Sequence, residues 1–154
     1  MRLRFAADAN VGRLARWLRV LGYDATYRPH VRDADLVRQA LAEGRVLLTR
    51  DADLMHRRVI TSGRLPALLV EHDLVEDQLR QVSARLRLDT ALALTRCLEC
   101  NLELEARAPE AVAARVPSHV RRTQSRYSEC PLCRRVYWSG THRTGMRRVL
   151  AGLG

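Results

Sequence analysis

The sequence predicts a parallel-sheet α/β domain over residues 1–92 and a small cysteine-stapled ribbon over residues 93–154. Three observations carry this reading. Short β-type runs alternate with amphipathic helical segments up to residue 86, the pattern of a parallel sheet with helices on its faces. All four cysteines lie beyond residue 95, in two Cys-x-x-Cys pairs. Several aspartates stand where the strands of such a sheet should end.

Residues 3–7 read as a first strand, closed by Asp8. Residues 11–21 have helical spacing, with Val11, Leu14, Ala15, Leu18 and Leu21 on one face, Arg13, Arg16 and Arg19 on the other, and Gly22 as the stop. Residues 25–27 are a short strand. Residues 33–43 form a second helix capped by Asp33, burying Leu36, Val37, Ala40 and Leu41 and ended by Gly44. The unbroken run 46–49 suits a strand buried on both faces. A helix over about residues 52–61, a buried strand over 67–70 and a helix over 75–86 complete the alternation. Beyond Thr95 the pattern changes to cysteine knuckles, an inserted helical stretch over 109–116, a strand over 135–138 and a short basic helix over 146–150.

The pairs Cys97/Cys100 and Cys130/Cys133 leave no cysteine over. Four thiolates suit one tetrahedral zinc ion, and a closed four-sulfur shell makes that zinc structural rather than catalytic. The 29 residues between the pairs exceed the common spacing of about 15 to 20, so an excursion is expected there. Two disulfides are the competing reading. They need an oxidising compartment, and the N-terminal residues carry no signal-peptide pattern. Reduced thiols then imply a cytoplasmic protein, and no apolar run approaches the length that crosses a bilayer. His142, near the last knuckle, is a minor candidate to replace a cysteine ligand.

The chain of 154 residues carries a formal charge of +10 and no lysine. Residues 1–90 hold 16 Arg against 12 acids, and residues 91–154 hold 11 against 5. The second part is the more basic per residue, and such a field attracts polyanions. Arg134 and Arg135, beside Tyr127, Tyr137 and Trp138, form a candidate stacking and phosphate-binding surface. The same aromatics would equally serve as the ribbon's own small core.

In a parallel sheet, residues just past the strand ends gather along one edge, where such folds bind ligands. Asp8, Asp33, Asp51 and Asp53 are all expected there. Converging carboxylates repel unless a cation neutralises them, and hard oxygen donors suit Mg²⁺ or Mn²⁺. Asp33 and Asp51 also stand where a helix cap is wanted. Both readings apply to them.

The segments Phe5-Ala6-Ala7-Asp8, Leu14-Ala15-Arg16-Trp17-Leu18-Arg19, Leu21-Gly22-Tyr23-Asp24 and Arg45-Val46-Leu47-Leu48-Thr49-Arg50-Asp51 resemble the Mut-7 C-terminal ribonuclease domain family. The later Cys97-x-x-Cys100 and Cys130-Pro131-x-Cys133-x-x-Val136-Tyr137-Trp138-x-Gly140-x-His142 are similar to that family's zinc ribbon. The resemblance covers nearly the whole chain. It implies a PIN-like parallel sheet with flanking helices, a zinc ribbon and a metal-dependent ribonuclease activity leaving a 5′-phosphate and a 3′-hydroxyl. Asp8, Asp33, Asp51 and Asp53 stand where PIN-like domains carry metal-binding acids; Asp35 is an alternative to Asp33, because relatives carry adjacent acids at that point.

The expected cofactors are thus structural Zn and catalytic Mg or Mn, and the expected partner is RNA, contacted by Arg13, Arg16, Arg50, Arg134 and Arg135. Arg50 would meet the scissile phosphate or pair with a neighbouring carboxylate. A non-catalytic RNA- or ribosome-binding adaptor on the same fold is the alternative, and a toxin of a two-protein module is a third.

Overall fold

The computed structural model describes residues 2–139 and 141–152. Gly140 and the side chains of residues 141–144, His142 among them, lie outside the described residues. Four parallel strands, β1 (Phe5–Ala7), β2 (Ala25–Tyr27), β3 (Val46–Thr49) and β4 (Ala67–Leu69), form one sheet in the order β2-β1-β3-β4. The expected first strand begins two residues later, since Leu3 is exposed and only the run from Phe5 is buried. Helices α1 (Gly12–Val20), α2 (Asp33–Glu43) and α3 (Arg58–Thr61) lie in the connections between successive strands, and α4 (Val75–Leu86) follows β4.

Side chains that alternate along the strands divide the core in two, as the period of two requires. Phe5, Ala7, Leu48 and Leu68 face α1 and α4, packing with Leu14, Leu18, Leu79 and Val82. Ala6 and Leu47 face the other way, against Leu36, Val37 and Ala40 of α2 and Leu54 and Leu65 of the following loops. Leu41 is exposed rather than buried. Gly44 adopts the left-handed conformation (φ 64°) that lets α2 turn sharply into β3.

Two local expectations change. Asp33 is the first residue inside α2, and the capping position belongs to Arg32 without a side-chain bond. The helix expected over residues 52–61 is a 3₁₀ turn (Leu54–His56) and a separate α3, parted by an extended Arg57. Asp51 Oδ1 takes the amides of Asp53 (2.9 Å) and Leu54 (3.4 Å), a local turn that competes with a continuous helix.

The C-terminal part is a three-stranded antiparallel sheet, β5 (Glu105–Arg107), β6 (Tyr127–Glu129) and β7 (Val136–Trp138). The excursion between the knuckles contains β5, α5 (Pro109–Val112), a 3₁₀ turn (Ala113–Arg115) and α6 (Ser118–Thr123). Val112, Val116, Val120 and Tyr127 make its core, with Val136 and Trp138 packed on it. Finally α7 (Thr141–Ala151) returns to the first domain, where Leu150 joins the larger core.

The first knuckle is docked on the sheet. Arg19, expected on the solvent face of α1, is instead buried; it donates to the carbonyls of Ala25 (2.9 Å), Leu98 (2.7 Å) and Glu99 (3.3 Å). Asn101 accepts from the Ala25 amide (3.0 Å) and donates to Asp24 (2.6 Å), covering the open edge of β2.

Candidate active site and metal centre

Strand order reverses between β1 and β3, so their carboxyl ends flank a crevice. Asp8 follows β1 and is 6 % exposed. Its Oδ1 accepts from the Ala9 amide (2.8 Å) and its Oδ2 from the Thr49 hydroxyl (2.7 Å). The same Thr49 oxygen accepts from the Asp51 amide (3.0 Å). One hydroxyl thus links the Asp8 carboxylate to the backbone of Asp51, while the Asp51 carboxylate oxygen is taken by the amides of Asp53 and Leu54.

Asp53 shares the Asp51 turn through its amide but is exposed. Asp33 lies at the start of α2, partly exposed, and Asp35 pairs with Arg32 (3.2 Å) and Arg38 (3.0 Å). Among the described residues, the one group of three or more His, Cys, Asp or Glu side chains with ligand atoms within 4.8 Å of one another is the cysteine set. Thr49 connects the Asp8 carboxylate to the Asp51 amide, and the four aspartates do not close into such a group.

Beside this rim opens a cleft of about 460 Å³, lined by Asn10, Arg13, Arg16, Tyr27, Arg50 and Gln78 among others. Asn10 Oδ1 receives the Arg50 amide (3.3 Å), tying the β3 loop to the turn after β1. Arg50 forms an ion pair with Asp73, also on the cleft wall. Tyr27 bonds the Ala9 carbonyl (3.1 Å), and its ring fills the space a side chain at position 12 would need, 2.6 Å from a Cβ there. Gly12 is therefore required for α1 to start beneath that ring. Three of the five arginines expected to contact RNA, Arg13, Arg16 and Arg50, line one cleft.

The other two lie on the ribbon. Arg134 is 3.2 Å from Glu129, a fully buried carboxylate also paired with Arg115 (2.6 Å) and Arg107 (3.5 Å). Arg115, foremost, holds the Glu129 carboxyl below its ordinary range. Arg135 sits 3.9 Å from Glu99 and stays exposed. The aromatic platform is not free: Tyr127 is buried and Trp138 packs on the ribbon core. Tyr137 bonds Cys97 Sγ (3.3 Å) and the Leu98 amide (3.1 Å).

Cys97, Cys100, Cys130 and Cys133 are all unpaired thiols. Cys97 and Cys133 sulfurs are 3.6 Å apart, far beyond a disulfide bond of about 2.05 Å and close to the edge of about 3.8 Å in a zinc tetrahedron with Zn–S bonds of about 2.3 Å. The donor set therefore fits zinc. Desolvation and the neighbouring thiols of Cys133 and Cys130 push Cys100 up to about 12. Burial opposes ionisation of Cys97 too, but the Tyr137 hydroxyl and the amides of Cys100 and Glu99 bring it down to about 7. The crowding of sulfurs that opposes ionisation at Cys100 is what a dication relieves.

Thr49, Asn10 and Arg19 were not singled out as functional from sequence. Thr49 carried a readable signal, a hydroxyl ending an apolar strand two residues before an acid. Arg19 and Asn10 carried none, since the partners that give them their roles, Leu98 and Glu99 for Arg19 and Arg50 for Asn10, are distant in the chain. No curated protein and no solved structure matches this chain. The family model described as Mut7-C RNAse domain matches residues 3–150. With a parallel sheet, an acidic rim and a four-cysteine ribbon all inside that match, the chain belongs to the Mut7-C RNAse domain family.

Proposed function

We propose that this protein is a metal-dependent ribonuclease with a PIN-like fold, working in the cytoplasm on RNA phosphodiester bonds at the rim between β1 and β3. One observation supports the reading most: the Thr49 hydroxyl bonds the Asp8 carboxylate and the Asp51 backbone amide at the strand-order switch, next to an arginine-lined cleft. The donors there are carboxylate oxygens, the chemistry Mg²⁺ or Mn²⁺ requires, and each Asp8 oxygen keeps a free lone pair beyond its one hydrogen bond. Asp8 and Asp51 would be the principal ligands of such an ion, and Asp33 and Asp53, at the two neighbouring helical starts, would have to move closer to join them. A divalent cation at such a site supplies an activated water and neutralises phosphate charge.

The chain's own groups do the rest. Thr49 fixes the Asp8 carboxylate by donating to one oxygen. Arg13, Arg16 and Arg50 present guanidinium forks to the phosphates of the strand in the cleft. Asn10 holds the Arg50 backbone in place. The zinc ribbon widens the cationic surface beside the cleft.

The adaptor reading is favoured by one fact, the absence of a closed group of three acids among the described residues. Cleavage separates the two. A labelled RNA should be cut by the wild type with Mg²⁺ or Mn²⁺ and spared in EDTA. Asp8→Asn should lower the rate by about 100-fold or more while RNA affinity is kept. An adaptor would bind the RNA and give no metal-dependent turnover.

A further inference from the structure

Glu99 stands between Cys97 and Cys100, and its backbone is fixed from behind by buried Arg19, which donates to the Leu98 and Glu99 carbonyls. Its side chain is 46 % exposed and pairs with Arg16 through Oε1, the same oxygen that faces Arg135 at 3.9 Å. The two arginines come from opposite ends of the chain: Arg16 from α1, where it also lines the cleft, and Arg135 from just past the second knuckle. Both remain about half exposed, at 53 % and 58 %.

Such an exposed pair adds little to stability. The docking of ribbon on sheet does not need it, because Arg19, Asn101 and Arg96 already bind across that boundary through buried or half-buried hydrogen bonds. What the arrangement does offer is one anionic oxygen between two guanidinium groups, the setting in which a phosphodiester is held. Arg16 lines the cleft and faces the same Glu99 oxygen as Arg135, so a strand that contacts Arg16 there has Arg135 as a neighbouring cation.

We propose that Arg16 and Arg135 form one phosphate subsite for RNA at the junction of the two domains, and that Glu99 fills it in the free protein as a competing anion. Bound RNA displaces the carboxylate. The cleft's RNA-binding role, proposed above, is assumed here.

Binding of a fluorescein-labelled oligouridine by the full, zinc-loaded chain tests this, with Asp8→Asn in every sample to prevent cleavage. Removing the competitor with Glu99→Gln should tighten binding by about three- to tenfold at low salt and steepen the salt slope by about 0.7, one single-strand phosphate contact. In an Arg16→Ala, Arg135→Ala background that gain should vanish. Zinc content of each variant is measured alongside. If Glu99→Gln binds no tighter, or more weakly, the carboxylate positions Arg16 rather than competing, and the inference is overturned while the ribonuclease reading stands. If the double arginine variant binds as well as its parent, the subsite does not exist. If neither parent nor Glu99→Gln binds RNA, the ribonuclease reading itself falls.

Discussion

Thr49 gives the acidic rim its shape. Its hydroxyl has two partners, Asp8 as acceptor and the Asp51 amide as donor, and it is fully buried. Valine has the same outline without the oxygen. Thr49→Val should therefore cost about 1 to 3 kcal/mol of stability by leaving a buried carboxylate oxygen and an amide unsatisfied. If the site works as proposed, cleavage should fall by about tenfold or more, because misplacement of an acid acts directly on the reacting geometry. Thermal unfolding and a rate measured on the same preparation check both. At this scale the sequence was readable for the residues that close strands. Asp8 and Asp51 could be placed because a strand end is a local pattern. Arg19 could not, since two of the three carbonyls that accept its protons lie 79 and 80 residues away and helical spacing put it on the solvent side.

Among elements, the amino end of the sheet is held by one ion network. Arg45, 7 % exposed, spans Asp24 (2.7 Å) and Glu43 (2.7 Å), and Asn101 adds a bond to Asp24. Burial works against the Asp24 carboxylate, yet bonds from Arg45 and Asn101 outweigh it and hold its pKa below the ordinary value. Arg45 likewise holds Glu43 down. A carboxyl with a depressed folded pKa binds fewer protons in the native state than in the unfolded chain, so stability rises with pH through that window. The contribution is complete above the unfolded value of about 4 and is lost as pH falls through the folded one. Asp24→Asn should lower stability near neutrality by about 1.5 to 3 kcal/mol and flatten the acid limb, as denaturant titrations between about pH 2 and 6 would record. Gly12→Ala belongs to the same scale. A methyl there meets the Tyr27 ring, and thermal unfolding should show a loss of about 1 to 3 kcal/mol as the ring leaves Ala9.

The strands and α1, α2 and α4 were legible because their hydrophobic periods are local. The split of residues 52–61 was not, because an aspartate turn decided it against propensity. Nor were β5, β6 and α6, whose core of Val112, Val116, Val120 and Tyr127 depends on a fold held by distant cysteines.

Over the whole molecule, the parallel sheet and the cysteine ribbon meet at the first knuckle, and Leu150 at the end of α7 packs into the sheet's own core. Arg19 and Asn101 depend on the path of residues 97–101, so a zinc ion held by the four cysteines would act on the sheet as well as on the ribbon. Chelation should lower the melting temperature of the whole chain by on the order of 10 °C rather than melting the ribbon alone, and metal analysis should find one zinc per chain. Calorimetry with and without a chelator distinguishes one shifted transition from two. The positive charge is likewise a property of the assembly, since the arginines of α1 and of the second knuckle come into line only when the ribbon is docked.

The catalytic proposal rests on a hard cation held where β1 and β3 end. Anomalous diffraction from crystals soaked in Mn²⁺ tests it most directly. A manganese peak in contact with the Asp8 and Asp51 carboxylates, lost in Asp8→Asn, is the predicted result. Full occupancy of the cysteine site by zinc with no manganese at the acidic rim would contradict the account.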